Sequence, residues 1–496
     1  MMQPDDPLRD IELLIKSRHG LIVIDTPEEE RATTLLTHLA DRVGKPLFIW
    51  SRTRGLRRSD QDTAIYGTTD PAQALAHMAA SQVDAIYHVQ GFGNLIEDPG
   101  HQERLQHLAQ LFSKRDSVVI LTGALVLPES LRRMVSTIHL PGPSTSDYQQ
   151  LLEHILRDLS ARMKVRLQMT PDEGRQLLAH LRGLTLLEAE KVLTKAIVED
   201  GMLSVADIKH VIDAKKQIVE QEGVLEYYPV EESMAEVADL VGLKAWLNKR
   251  KQIIAEPQRA TEFGLTFPKG VLLVGVPGCG KSLCAKAVAS EWRLPLLKLD
   301  SAALYNKYIG ETEKNFKRAM QTAERISPVV LWIDELEKAF ASGGSEDGGV
   351  SQRVLGTFLS WMQDRKGDVF IVATANDVSK LPAEFLRKGR FDEIFFVDLP
   401  DEEARTAIFD IHLRKRGQQS SALPVAELVQ ATANFSGAEI EQIVVSGLYT
   451  AFSEKKALDG AVLHAEIAAT RPLAHTMSER VTALRAWARE RTVAAN

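Results

Sequence analysis

The chain has 496 residues, 44% apolar and 26% charged, with a formal net charge of −7 at pH 7. Such a composition belongs to ordinary globular protein of roughly two to four domains, and its mild acidity argues against a chain-wide binder of nucleic acid or of anionic membrane. The two cysteines, Cys279 and Cys284, supply no disulfide framework and fit a reducing compartment.

The first residues, Met1 to Asp10, are polar and acidic and lack the basic start and apolar stretch of a secretory signal. The longest apolar stretches, such as Val118 to Pro128, are too short to span a bilayer, so a soluble cytoplasmic chain is expected. Four apolar runs in the first half, Gly20–Ile24, Leu47–Trp50, Ala85–Val89 and Val118–Leu121, read as buried parallel strands. Arg52, Arg54, Arg57 and Arg58 form a basic cluster. A solvated surface loop is its plainer reading, and guidance of an acidic polypeptide or a nucleic acid the functional one, with no interleaved aromatic for base stacking. The acidic stretch Tyr227 to Val237 places a domain boundary near residue 225.

The second half opens with Val271–Val274, an apolar strand leading into Gly275-Val276-Pro277-Gly278-Cys279-Gly280-Lys281-Ser282. This is a complete phosphate-binding loop in its strand-to-helix setting, with Leu283 continuing into a helix that runs to Trp292. The glycines let backbone N–H groups close on phosphate oxygens, Lys281 reaches the β and γ phosphates, and Ser282 can ligate magnesium, so a nucleoside triphosphate with Mg2+ is expected.

A short strand, Leu296–Leu299, is followed by a helix over 315–326 and by Val329–Ile333, a strand ending in Asp334 and Glu335. An acid there can hold magnesium and its neighbour can activate the attacking water, which assigns Asp334 to the metal and Glu335 to the general base. A third strand, Val369–Ala373, leads into Thr374-Ala375-Asn376, whose amide is placed to bond the γ phosphate and the lytic water, although alone Asn376 would read as a turn residue. Arg387 and Arg390, beside Gly389, suit the spreading charge of a phosphoryl-transfer transition state. By spacing alone, an ordinary surface pair is the plainer reading of those two. Val481, Leu484 and Trp487, three apart, predict a closing helix that packs on a helical lid or on a neighbouring copy, the lid being the plainer expectation.

Sliding the chain against itself lays Gly20–Ala32 on Gly270–Ser282 at a constant offset of 250, with Pro27 on Pro277. Asp25, Glu28 and Glu30 fall on Gly275, Gly278 and Gly280, and Arg31 and Ala32 on Lys281 and Ser282. Carboxylates where a triphosphate would sit exclude ATP, and Gln90-Gly91 stands where Asp334-Glu335 stand in the second half. The segment 184–192 echoes the segment 435–443.

In the order GVPGCGKS, VVLWIDE, ATAN, LPAEFLRKGRFDEIFFVDLP, Asp401-Glu402-Glu403-Ala404-Arg405 and Phe435-Ser436-Gly437-Ala438-Glu439-Ile440, residues 239–473 resemble the AAA family within the AAA+ class. The resemblance implies an α/β chain of two P-loop NTPase-like αβα modules, the first degenerate, each with a small helical lid. Residues 1–224 would be the degenerate module, 225–410 the ATPase core and 411–496 the lid and tail. It implies that Asn376 is a sensor, that Arg387 and Arg390 reach a neighbouring subunit's site, and that His412, Gly437, Ala438 and Asp239 lie around ribose and base. A ring, usually a hexamer, is the implied self-assembly. Tyr308-Ile309-Gly310, otherwise readable as anchors of a surface loop, resembles the pore loop with which family unfoldases grip an extended protein client, and the segment 343–349 is equally a second loop on that face or a flexible connector. The pairing of a dead first module with a live second one, together with residues 11–18, 26–31 and 471–473, is similar to the AAA ATPases first named from plastid and cyanobacterial open reading frames.

An ATP-driven ring remodeller of proteins is thus the expected function. An ATP-gated scaffold that threads nothing is the alternative, and a nucleic-acid translocase a weaker one. Two departures stand out. Cys279 replaces the usual Thr and offers a thiol whose oxidation would inhibit, and residues 362–366 replace a subunit-signalling segment of some relatives.

Overall fold

The computed structural model describes residues 7–123, 125, 127–221, 223–228, 237, 240–300, 311–340, 350–365 and 367–496. The chain divides into two compact units, residues 1–166 with 184–202, and residues 167–183 with 203–496.

In the first unit the apolar runs form β1 (Leu21–Asp25), β2 (Leu47–Ser51), β4 (Ile86–Val89) and β5 (Val118–Thr122), joined by β3 (Gly55–Arg58) and β6 (Ser136–His139) in the order β3-β2-β4-β5-β1-β6. Only β3 is antiparallel, folding back on β2. Side chains alternate across the sheet. Leu21, Val23, Tyr87 and Leu121 pack under the helices Pro71–Ala80 and Pro99–Phe112, while Ile22, Ile24, Ile86 and Ile120 pack under Pro7–Lys16 and Glu29–Val43. The helices Thr145–Arg162 and Leu186–Asp200 complete this unit, and Tyr148 ties them together by donating from its buried hydroxyl to the Leu184 carbonyl at 2.6 Å.

Two short strands, β7 (Arg166–Gln168) and β8 (Met202–Ser204), pair with each other, and each straddles a boundary of the second unit. Its sheet contains β9 (Leu225–Tyr228), β10 (Gly270–Gly275), β11 (Leu296–Leu299), β12 (Val329–Ile333), β13 (Val369–Ala375), β14 (Glu393–Val397) and β15 (Val493–Ala494) in the order β15-β14-β10-β13-β12-β11-β9. β9 runs antiparallel to β11, and the remaining pairs are parallel. Leu272, Val274, Leu331 and Ile371 face one core, with Phe316 and Phe358 from the helices Glu311–Ile326 and Val350–Asp364. Val271, Leu273, Val330 and Phe370 face the other, with Val288 and Leu247 from Lys281–Trp292 and Val241–Ala255. The lid is a separate cluster, in which Phe409, Leu428, Ile440 and Leu463 come from four successive helices, Glu402–Lys415, Val425–Ala431, Gly437–Ser453 and Gly460–Ala469.

The parallel strands of the two sheets follow one permutation: β2-β4-β5-β1-β6 in the first matches β11-β12-β13-β10-β14 in the second. Both modules are therefore P-loop NTPase-like αβα units, and the carboxyl ends of β10, β12 and β13 open on one crevice, where ligands bind in such sheets. No described helix is long and apolar enough to cross a membrane.

The closing helix forms as its spacing predicts, over Ser478–Arg489, but it docks differently. Leu484 and Trp487 join the core under the second sheet rather than the lid cluster, and β15 adds to the open edge of β14. Acids on the core, Asp377 and Asp398, meet arginines of this helix and supply the physical reason.

Candidate active site

The phosphate-loop segment is held by its flanks. Val276 N–H donates to the Val397 carbonyl at 3.1 Å, and a Cβ added at Gly275 would lie 1.9 Å from that same oxygen, so only glycine fits there. Gly278 (φ +79°) and Gly280 (φ +85°) take left-handed backbone, and the space beside Gly280 is open to 4 Å. Beyond them the N-terminus of Lys281–Trp292 presents its unpaired N–H groups to the cradle, a ready anion seat. Lys281 is buried, and its Nζ donates to the carbonyls of Gly275 at 2.9 Å and Val276 at 2.7 Å. Burial pushes its ammonium down to about 8, against the pull of Cys279, Glu337, Asp334 and Glu335. A bound phosphate would add counter-charge that offsets this cost of burial.

Asp334 follows β12 and accepts from Ser282 Oγ at 3.0 Å and from Thr374 Oγ1 at 2.6 Å. A serine hydroxyl beside a carboxylate is a hard oxygen pair suited to magnesium. Thr374 also accepts the Glu335 N–H at 3.0 Å, which holds Glu335 in left-handed backbone at φ +49°. A non-glycine residue pays about 1–2 kcal/mol for that conformation, so the surroundings impose it. The Glu335 carboxylate takes Lys338 Nζ at 2.7 Å and Asn376 Nδ2 at 3.4 Å on Oε1. Behind them Glu337, buried, accepts the Asn376 backbone N–H at 2.9 Å on Oε1, while its buried Oε2 meets no partner among the described residues.

The lid closes the other side. Ala438 N–H donates to the Gly278 carbonyl at 3.0 Å, where the lid helix Gly437–Ser453 begins under a capping box of Ser436 and Glu439. His412 Nδ1 stands 3.5 Å from Glu441 Oε1, which also pairs with Arg416 at 2.8 Å. Burial holds the imidazole below its usual range, on the neutral side at pH 7. Together these residues enclose a cavity of about 790 Å³, lined by Lys281, Ser282, Asp334, Glu335, Asn376, His412, Gly437 and Ala438 among others. That volume suits a nucleotide-sized ligand.

Most of the candidates read from the sequence thus converge on one cavity. Arg387, exposed, and Arg390, half-buried with Nη1 on the Leu359 carbonyl, do not line it. Asp239, Tyr308, Ile309, Gly310 and the segment 343–349 lie outside the described residues. Thr374 and Glu337 were missed. Thr374 shares a strand face with Asn376, two residues on, and that spacing was the available signal. Burial pushes the Cys279 thiol up to about 12, which weighs against the oxidation expected of it.

In the first module the matching place is filled from within. Glu28, at the Gly278 position, is buried and accepts Arg31 Nη1 on Oε2 at 3.0 Å and the Leu186 N–H on Oε1 at 2.9 Å. Arg31, at the Lys281 position, also donates to the Pro141 carbonyl at 2.5 Å. Leu186 opens a helix capped by Thr185 and Glu188, as Gly437 opens one capped by Ser436 and Glu439. A side-chain carboxylate thus occupies the cradle and neutralises its cation, leaving that charge balanced without phosphate.

Residues 271–399 match the model of the ATPase family associated with various cellular activities (AAA). Residues 8–140 match the SpoVK-like AAA ATPase N-terminal domain, and residues 146–222 the second domain of those proteins. The chain is 35% identical over 486 residues to an uncharacterized AAA domain-containing protein, ycf46, of Pyropia yezoensis, covering 97% of each. It is 35% identical over 488 residues to the ycf46 protein of Guillardia theta, covering 97% of this chain and 94% of the relative. A homolog of ATPase family protein 2 from Caenorhabditis elegans is 31% identical over 220 residues, 43% of this chain and 30% of that one.

Proposed function

Because the chain belongs to the AAA ATPases, alongside the plastid ycf46 proteins, we propose that its second module hydrolyses ATP between copies arranged in a ring and uses that cycle to remodel a protein client. The observation that carries this reading is the convergence of Lys281, Ser282, Asp334, Glu335 and Asn376 on a single cavity. Lys281 and the loop N–H groups hold phosphate, Ser282 and Asp334 hold magnesium, Glu335 takes the proton of the attacking water, and Asn376 orients that water. Magnesium, when bound, supplies charge neutralisation at the phosphates. His412, Gly437 and Ala438 border the ribose and base, with Asp239 at the adenine pocket.

Arg387 and Arg390 act on the site of the adjacent copy, so turnover requires assembly, with a hexamer as the proposed ring. Residues 1–224 form a platform or adaptor that binds no ATP, residues 225–410 the ATPase core, and residues 411–496 the lid and tail. The proposed setting is the cytoplasm, where two free cysteines persist.

Threading is tested at Tyr308. Tyr308→Ala is expected to keep ATP turnover within about twofold and to lose ATP-dependent unfolding of a client co-purified with a hydrolysis-deficient trap, because grip on any sequence needs a bulky apolar contact. Undiminished unfolding by the variant would contradict threading and leave an ATP-gated scaffold.

A further inference from the structure

The helix Ser478–Arg489 reaches the walls of the cavity at two points. Arg485 clasps Asp398 with both arms of its fork: Nε lies 3.0 and 2.9 Å from Oδ1 and Oδ2, and Nη2 lies 2.8 Å from Oδ1. Asp398 lines the cavity and follows Val397, whose carbonyl receives the Val276 N–H of the phosphate loop. Toward the start of the helix, Arg480 bonds Asp377, the neighbour of Asn376, whose amide donates to Glu335. Val481 and Leu484 meet Val276, Pro277 and Asn376 across a crevice of only about 50 Å³, so helix, loop and sensor are packed as one block.

The helix is itself anchored beyond these contacts. Ala495 N–H donates to the Phe396 carbonyl at 3.0 Å, and the Ala495 carbonyl accepts Leu243 N–H at 3.1 Å. Part of the helix's seat is apolar, supplied by Leu484 and Trp487. The two arginines go further, since Arg485 fixes an acid that lines the cavity and Arg480 one whose neighbour, Asn376, lines it. A bidentate guanidinium fixes orientation as well as distance, which an ammonium cannot do.

We infer that Arg485 and Arg480 are positioning residues of the ATPase site. Arg485, through Asp398 and Val397, sets the phosphate loop and hence nucleotide affinity; Arg480, through Asp377, sets Asn376 against Glu335 and hence the rate of the chemical step. The inference rests on the ATPase reading above.

The test uses the full chain, with affinity from a fluorescent ADP analogue and kcat and KM from phosphate release. Arg485→Ala is expected to raise Kd and KM about tenfold with kcat within about twofold, and Arg480→Ala to lower kcat about tenfold with Kd unchanged. Arg485→Lys, which keeps the charge and loses the fork, is expected to recover part of the affinity, and Arg489→Ala, exposed on the same helix, to change neither constant. Thermal unfolding of each variant separates these effects from misfolding. If both alanine variants shift kcat and KM together in one proportion, as a merely loosened helix would, or if neither shifts, the positioning roles are overturned while the ATPase reading stands. A wild-type protein that binds no analogue overturns both.

Discussion

Arg387→Ala is expected to lower ATP turnover by about 10³-fold or more while nucleotide affinity stays within about twofold, because a trans-acting guanidinium serves the transition state and not the ground state. Arg387 is exposed and absent from the lining of its own chain's cavity, so its loss removes no contact to a nucleotide bound there. Steady-state phosphate release, paired with equilibrium binding, measures both halves of the expectation. Mixing the variant with an excess of Glu335→Gln protein sharpens the result, since intact arginines from the Gln subunits should then restore hydrolysis at the intact Glu335 sites of the Arg387→Ala subunits. An Arg387→Ala protein that turns over at the wild-type rate removes the trans-acting arginine from the account.

The second large effect concerns the base. Glu335→Gln is expected to slow hydrolysis by about 10²–10⁴-fold and to leave nucleotide bound, since the isosteric amide cannot take a proton from water. The backbone of residue 335 stays anchored through its N–H to Thr374, and Ser282 and Asp334 keep their mutual hydrogen bond, so the binding half of the site is untouched. Single-turnover hydrolysis separates the chemical step from product release. A Gln variant as fast as wild type would move the general base elsewhere.

How much of this was readable beforehand depends on where each signal lies in the chain. The phosphate loop is local, since eight consecutive residues after an apolar strand encode both the turn and its cation. The central parallel strands were legible for a related reason: being covered on both faces, β10, β12 and β13 are continuous apolar runs. β6 was not, because its alternating burial and polar Ser136, Thr137 and His139 mark it as an edge. The 250-residue offset exposed the acids of the first module, but not the clasp of Glu28 on Leu186, which spans 158 residues.

The helix Ser478–Arg489 shows the same divide. Its apolar spacing predicted a helix, whereas its seat depended on Asp398 and Asp377, 87 and 103 residues from their arginines. Glu337 and Thr374 escaped for a subtler reason. Each acts on a neighbouring strand end, Glu337 on the Asn376 N–H and Thr374 on Asp334, and a one-dimensional reading registers only the residues that face the ligand.

The central claim is that one glycine-lined cradle with its lysine turns over ATP. Its most direct test is phosphate release by the purified full chain with ATP and magnesium, run beside Lys281→Ala. The account predicts steady turnover by the wild type and loss of both nucleotide retention and hydrolysis in the variant, because Lys281 is the one loop cation buried against the carbonyls of Gly275 and Val276 among the described residues. Wild-type protein that neither retains nucleotide nor releases phosphate, and that cannot be told from Lys281→Ala, would contradict it.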